Sequence, residues 1–411
     1  MKILLIGTFD TKYNELIYFK DKLSLKAEVI TFDIGVFPID FQSDYSYKDF
    51  VVNTNYKDVD FTKLPKSETM KVYSELINNF SESLYEKEKF DGVISIGGGC
   101  GTSLASIIYK KIPFGIPKVI ISSILSGVRG YDFYGHSDIC FFPSILDISG
   151  INSISKSIFD RASNALIGMC EENYSTSNGD LSSKKIRIGI TMFGVTQECV
   201  DKVKSKLQLN ENIEVFVFHA TGTGGDTLEY MAKIGFIDYI IDLTTTEFAD
   251  LLYGGILPAT PDRLTANVPR IVSFGAIDMI NFGRKETVPQ SFDNSIKYEF
   301  NLNTTLIRTN KAQNNELGSF IGKKVKNIAE KNNIRVIIPL NGFSKLDKKG
   351  SYFYNENFDS ELINSFKQQI PDSMTYEVNG HINDDIFADK IVDVFYTDLL
   401  ERNNKIGENN E

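Results

Sequence analysis

SIGGGCGTSLAS (residues 95–106) joins an apolar run to a segment whose Leu104, Ile107 and Ile108 share one helical face. A strand, a glycine-rich turn and a helix in that order form the repeating unit of a parallel α/β sheet. The same grammar runs the length of the chain. Strand-like apolar runs fall at 2–6, 28–31, 92–96, 117–122 and 138–142. A second set follows at 186–192, 214–219, 238–243, 269–274, 334–339 and 374–378, with helical patterns between. The polar, Ser- and Asn-rich stretch EENYSTSNGDLSSKK (171–185) breaks the series and reads as a linker. The expected architecture is α/β: two Rossmann-like, doubly wound domains with mainly parallel sheets. They span 1–172 and 185–400, joined by a linker at 173–184 and ending in a flexible tail at 401–411. The irregular aromatic segment 36–67 is an excursion from the first domain, with a lid or dimer arm as other readings.

The chain's 411 residues exceed one ordinary core and suit two of about 150–200 residues each. A net charge of −10 argues against broad nucleic-acid binding, which needs a basic face. No stretch approaches the ~18 apolar residues of a membrane span, and the chain opens directly on the strand-like KILLIG. We therefore expect a cytoplasmic protein without a leader segment or membrane contact. The four cysteines are far apart with no CxxC pair, which fits reduced thiols rather than disulfides or zinc.

In open α/β sheets, ligands sit beyond the carboxyl ends of the strands. The stretches at that edge are GTFDT (7–11), GGGCGTS (97–103), FGVT (193–196), HATGTGGDT (219–227), DLTTTE (242–247) and FGAIDMINFG (274–283). Glycines let a ligand approach the backbone, and the first amides of a helix are unpaired and partly positive. Neither glycine-rich loop is a Walker A motif, and GTGGDT only approaches the dinucleotide fingerprint. Two such loops beside Thr-rich turns point to anion or nucleotide binding. The candidate ligand-binding residues are Thr8, Asp10, Gly97, Gly98, Gly99, Gly101, Thr102 and Ser103 in the first half. In the second they are Gly222, Thr223, Gly224, Gly225 and Thr227. Which half holds the nucleotide is left open.

One helix terminus gives an exposed anion only about 0.3–1 kcal/mol, whereas micromolar affinity needs about 8 kcal/mol. The loops carry no Lys or Arg, so a triphosphate requires Mg²⁺ or basic residues from elsewhere: Lys12, Lys118, Arg129, Arg284 and Arg308 are candidates. Asp10 and Asp226 are the candidate metal ligands; Asp226 with Glu229 also fits an Asp-x-x-Glu capping box. Cys100 stands at a helix start that would lower its pKa, yet a small residue filling a crowded turn explains it better. Of three histidines, His219 opens a glycine-rich loop and is the best acid/base candidate, with His381 second. Asp278 and Glu247 complete the catalytic set. Glu247 and Asp250 also suit a first helical turn for dipole reasons alone.

Taken together, GTFDTK, GGGCGTSLAS, GIPKVIISS, FFPSILDISGINSISK, GITMFGVT, FHATGTGGDTLEYM, DLTTTEFADLLYGG, GAIDMINFG and GHINDDIFAD resemble the blocks of a two-domain ATP-binding family. That family is typified by the N-terminal module of the tomato mosaic virus resistance protein. Its many bacterial and archaeal members mostly have no established reaction. The resemblance spans nearly the whole chain and implies two Rossmann-like domains, a homodimer, ATP with Mg²⁺ and, from the plant member, a protein partner. Cys100 and the stretch 126–138 depart from the family pattern, so no contact of Arg129 or His136 is carried over. The function expected first is ATP/Mg²⁺ binding. The alternatives are a hydrolase or lyase acting on a small phosphorylated or carboxylated metabolite in an interdomain cleft, and a nucleotide-dependent interaction module.

Overall fold

In a sheet whose strands are all parallel, helices cover both faces, so each strand must be apolar on both sides. KILLIG, GVISIG and KVIIS meet that requirement, and each is a buried strand of the first unit. A computed structural model describes residues 1–124, 135–171, 185–329 and 334–408, the side chains of 402–408 excepted. The chain divides into two compact units, Met1–Ser183 and Lys184–Glu411. The expected linker at 173–184 lies outside the described residues.

The first unit is a five-stranded parallel sheet of β1 (Lys2–Gly7), β2 (Glu28–Asp33), β3 (Gly92–Gly97), β4 (Lys118–Ser122) and β5 (Ile139–Pro143), in the order β2-β1-β3-β4-β5. Alternation along each strand feeds two cores. Leu4, Ile6, Val93 and Ile120 pack on one face with Tyr73, Leu104 and Ile108. Ile3, Leu5, Ile94 and Ile121 pack on the other with Phe19, Phe159 and Leu166. The order reverses direction between β1 and β3, which makes their carboxyl ends the crevice where such sheets bind ligands.

The second unit has a six-stranded parallel sheet of β6 (Ile186–Met192), β7 (Ile213–His219), β8 (Tyr239–Thr244), β9 (Arg270–Gly275), β13 (Ile334–Pro339) and β14 (Thr375–Val378). Their order is β14-β13-β9-β8-β6-β7. Between β9 and β13 the chain adds a small antiparallel sheet that the apolar pattern does not announce: β10 (Met279–Phe282), β11 (Lys297–Asn301) and β12 (Thr304–Arg308), ordered β10-β12-β11. Its edge strand, KYEFN, is short and largely exposed, so neither length nor alternation marks it. The last helix, Asp385–Glu408, runs past the expected boundary at 400.

Candidate functional site

Two helices start at the crevice of the first unit. The helix Phe9–Ser24 follows β1, and its first amide is already satisfied: Phe9 N donates to Asp33 Oδ1 at 3.0 Å. Gly35 N donates to the same oxygen at 2.8 Å. The helix Gly99–Tyr109 follows β3 and is open. Its N-cap is Gly98, no side chain caps it, and among the described residues its first amide with a partner is that of Thr102, to Gly98 O at 2.9 Å.

That open start faces a cavity of about 490 Å³. Thr8, Asp10, Gly98, Gly99, Cys100 and Gly101 line its floor; Ile34–Phe37, Phe61, Leu64, Met70 and Tyr73 wall the other side. The excursion 36–67 therefore forms a wall of the cavity. Asp10 Oδ2 accepts from Val36 N at 2.9 Å and Phe37 N at 3.0 Å, while Oδ1 is buried with no hydrogen-bond partner among the described residues. Lys66 stands exposed on the rim. Lys12 lines the cavity but gives its Nζ to Ile148 O.

Glycine usually answers a need for positive φ or close packing. At Gly98, Gly99 and Gly101 neither need arises from the described residues. None has positive φ, and an added Cβ would lie 3.6 Å from Ser123 Oγ, 3.9 Å from Ile124 Cγ2 and 3.9 Å from Thr8 Cγ2 respectively, ordinary contacts all. The fold leaves room for side chains that the sequence omits. Gly97 is different, since its Cβ would press on the Gly101 backbone at 3.2 Å. The hydroxyls expected to bind a ligand turn elsewhere: Thr102 Oγ1 meets Ser122 Oγ at 2.7 Å in the interior, and Ser103 Oγ donates to Gly99 O. Thr8 Oγ1 pairs with Thr11 Oγ1 at 2.8 Å on the cavity floor.

Burial pushes the Asp33 carboxyl up to about 6; its two amide donors pull it back, and the charge of Asp10 adds to the rise. A carboxyl that holds its proton more tightly folded than unfolded stabilises at low pH, and that contribution is lost as pH rises from about 4 through about 6. Asp33→Asn keeps an oxygen for both amides and removes the charge. It is expected to raise stability at pH 8 by on the order of 1–3 kcal/mol and to leave it unchanged at pH 4. Urea unfolding followed by circular dichroism at the two pH values checks this.

The second glycine-rich loop is closed. Gly222 N and Gly225 N, at the start of the helix Thr223–Lys233, donate to Glu247 Oε1 at 2.6 and 3.3 Å. Glu247 thus occupies the place an anion would take. Each glycine has an internal reason. Gly222 has φ of 78°, a Cβ on Gly224 would overlap His219 O, and one on Gly225 would overlap Arg263 and Glu247. Thr223 N donates to Thr221 O and Thr227 Oγ1 to Thr223 O, so the loop's polar groups bind within it. The expectation that residues 222–227 hold phosphate is corrected here, because their amides serve a carboxylate of the same chain.

Glu247 belongs to a fully buried ionic network. Arg263 grips Asp242 through two bonds of 2.6 and 2.8 Å and Glu247 through one of 2.6 Å. Arg270 holds Glu229 at 2.7 and 3.1 Å, and Glu229 also accepts from the amides of Leu264, Thr265 and Ala266. Burial drives the Glu229 carboxyl up, but Arg270 and Arg263 more than reverse this, to about 2. For Glu247 burial wins over Arg263, and its pKa is raised. The Asp-x-x-Glu spacing is therefore no capping box. Asp226 accepts from Thr260 Oγ1 at 2.6 Å, and it joins no group of three His, Cys, Asp or Glu side chains suited to a metal among the described residues.

The catalytic set is not assembled. Asp278 is fully buried, where Ser344 Oγ donates to its Oδ2 at 2.8 Å and Arg308 lies close. His219 is exposed, with its ring stacked on Phe193 at 5.5 Å and its pKa lowered by partial desolvation. Among the described residues no hydrogen bond or ion pair joins any two of His219, Asp278 and Glu247. His381 is buried, its Nε2 donating to Ser344 O at 2.8 Å while Nδ1 accepts from Asn383 N at 3.1 Å. Lys118 and Arg308 are internal ion-pair partners, of Asp138 and of Asp359 and Asp347. Arg284 lies by Asn303, and Arg129 is outside the described residues. Sequence reasoning passed over Asp33, although its place at the carboxyl end of β2 was a signal. It also passed over Lys66, for which no local pattern exists.

The chain belongs to the uncharacterised protein family UPF0261. The family's N-terminal domain matches residues 1–175 and its C-terminal domain residues 185–398. A UPF0261 protein of Clostridium tetani is 37% identical over 398 residues, covering 94% of this chain and 96% of that protein. The ToMV resistance protein Tm-1(GCR237) of Solanum lycopersicum is 33% identical over 420 residues. That match covers 96% of this chain and 55% of the tomato protein, so the chain spans about half of its length. Among solved structures, a UDP-N-acetylglucosamine 2-epimerase aligns over 66% of this chain and 78% of its own, at 11% identity and a TM-score of 0.24. That likeness is too slight to carry an argument. No described helix is long and apolar enough to cross a membrane.

Proposed function

We propose that the first unit binds ATP with Mg²⁺ in the cavity at the carboxyl ends of β1 and β3. The observation that carries this reading is an uncapped helix start, Gly99–Tyr109, opening into that cavity through three glycines that no contact among the described residues requires. Backbone amides of Gly99, Cys100 and Gly101 take phosphate oxygens, and Gly99 and Gly101 put no side chain in the way. Phe61, Leu64, Met70 and Tyr73 offer an apolar wall suited to a base, and the cavity volume lies within the range of small-molecule sites. A polyphosphate beside Asp10 needs a cation. Mg²⁺ is commonly held by one or two carboxylates together with phosphate oxygens and water, and the unpartnered Oδ1 of Asp10 supplies such a ligand. Lys66 adds positive charge at the rim. A homodimer and a protein partner, both implied by the resemblance, are part of the same proposal.

Isothermal calorimetry tests it. ATP with Mg²⁺ is expected to bind with micromolar affinity, and omission of Mg²⁺ to weaken binding at least tenfold. In Asp10→Asn the two affinities are expected to converge. Absence of heat at millimolar concentrations of protein and nucleotide would overturn the reading.

A further inference from the structure

The antiparallel sheet of the second unit ends on β11, whose far edge meets no other strand among the described residues. Its register decides what that edge offers. Arg308 N donates to Ile296 O at 2.9 Å, and Lys297, Tyr298 and Glu299 lie opposite Ile307, Leu306 and Thr305. Hydrogen-bonded and non-bonded pairs alternate along an antiparallel ladder. The main-chain groups of Ile296 and Tyr298 therefore turn toward β12, and those of Lys297 and Glu299 turn outward. Exposed apolar side chains accompany it, with Ile296 just before the strand, Phe300 within it and Leu302 in the turn after it 42%, 48% and 93% exposed. An open edge of this kind is a template for another strand.

We infer that β11 is the surface on which two copies of this chain pair, antiparallel, about a two-fold axis through Tyr298. A two-fold contact must set residue i against j and j against i. The outward groups belong to alternate residues, so the axis passes through Lys297, Tyr298 or Glu299. Through Lys297 it sets lysine against lysine; through Glu299 it sets glutamate against glutamate. Through Tyr298 it sets Lys297 against Glu299 of the second copy, twice over, and Ile296 against Phe300. Opposite charges directly across a sheet stabilise it and like charges destabilise it, so the strand's own charges select the third register. Each Lys297–Glu299 pair then exchanges both of its main-chain hydrogen bonds, joining two three-stranded sheets into one. Within one chain Glu299 meets Lys285 at 2.6 Å and Lys297 meets Asp293 at 3.3 Å. Both are exposed pairs of the kind that contribute little and rearrange easily.

This inference rests on the homodimer carried in the proposed function and is independent of nucleotide binding. Sedimentation velocity over a range of concentrations tests it. The wild-type chain is expected to shift from monomer to dimer as concentration rises. Glu299→Lys sets Lys against Lys297 and is expected to weaken association at least tenfold, and the charge-swapped Lys297→Glu/Glu299→Lys to restore it. Glu299→Pro removes an amide that faces outward rather than into the β12 ladder, so it is expected to stay folded and monomeric. Circular dichroism checks that each variant is folded. A wild-type chain that is monomeric at every concentration would overturn both the dimer and its surface. A dimer that Glu299→Lys leaves intact, or that the charge swap does not rescue, would overturn the surface alone.

Discussion

Arg263→Met is expected to cost the second unit about 3–5 kcal/mol, the usual loss when one partner of a buried ion pair is removed. The arginine is fully buried and is bonded to both Asp242 and Glu247. Its loss leaves those two carboxylates without their closest positive charge in a medium that solvates charge poorly. Glu247 also anchors the amides of Gly222 and Gly225, so the loop after β7 is expected to loosen with it. Urea unfolding followed by far-ultraviolet circular dichroism reads the loss. The triple variant Arg263→Met/Asp242→Asn/Glu247→Gln is expected to recover part of it, because no charge is then stranded. A loss under about 1 kcal/mol for the single variant would mean that the carboxylates find protons or water at little cost.

The two glycine-rich loops are expected to answer the same substitution in opposite ways. Alanine at Gly99 or Gly101 meets only ordinary contacts and improves helix propensity, by up to about 1 kcal/mol. The melting temperature is therefore expected to hold or rise. Calorimetry is expected to show nucleotide binding weakened at least tenfold, about 1.4 kcal/mol. Alanine at Gly225 instead drives a methyl group into Arg263 and Glu247. It is expected to destabilise by at least the about 1–3 kcal/mol of an overpacked core, with no change in nucleotide binding by the folded fraction. Gly99→Ala and Gly101→Ala proteins that bind ATP as the wild type does would remove the main support for the proposed site.

The sheets were legible because buried parallel strands are unbroken apolar runs. ILLI, VISI and VIIS cannot be read as surface helix, and the helices between them keep one apolar face. The antiparallel insertion was not legible, since β11 alternates Lys, Tyr, Glu and Phe with only modest burial on either side. The candidate site was half legible. A glycine-rich turn reveals freedom of the backbone without revealing what takes advantage of it. At 97–103 nothing among the described residues fills the space; at 219–227 Glu247, 25 residues away from Gly222, does. The spacing of Asp226 and Glu229 suits a helix cap, yet Glu229 turns to Arg270, 41 residues on. Local pattern cannot register a partner at that remove: Glu247 stands in the first turn of its helix as the dipole reading has it, but its bonds to Arg263, Gly222 and Gly225 leave no trace in the local sequence.

The carboxylate seated on the loop after β7 also sets how each half answers to its surroundings. A protein segment that supplies its own counterion folds to the same depth whatever solutes are present. Under the proposed function the earlier half leaves its equivalent position to an anion from solution, and occupation of that position is expected to add to its stability.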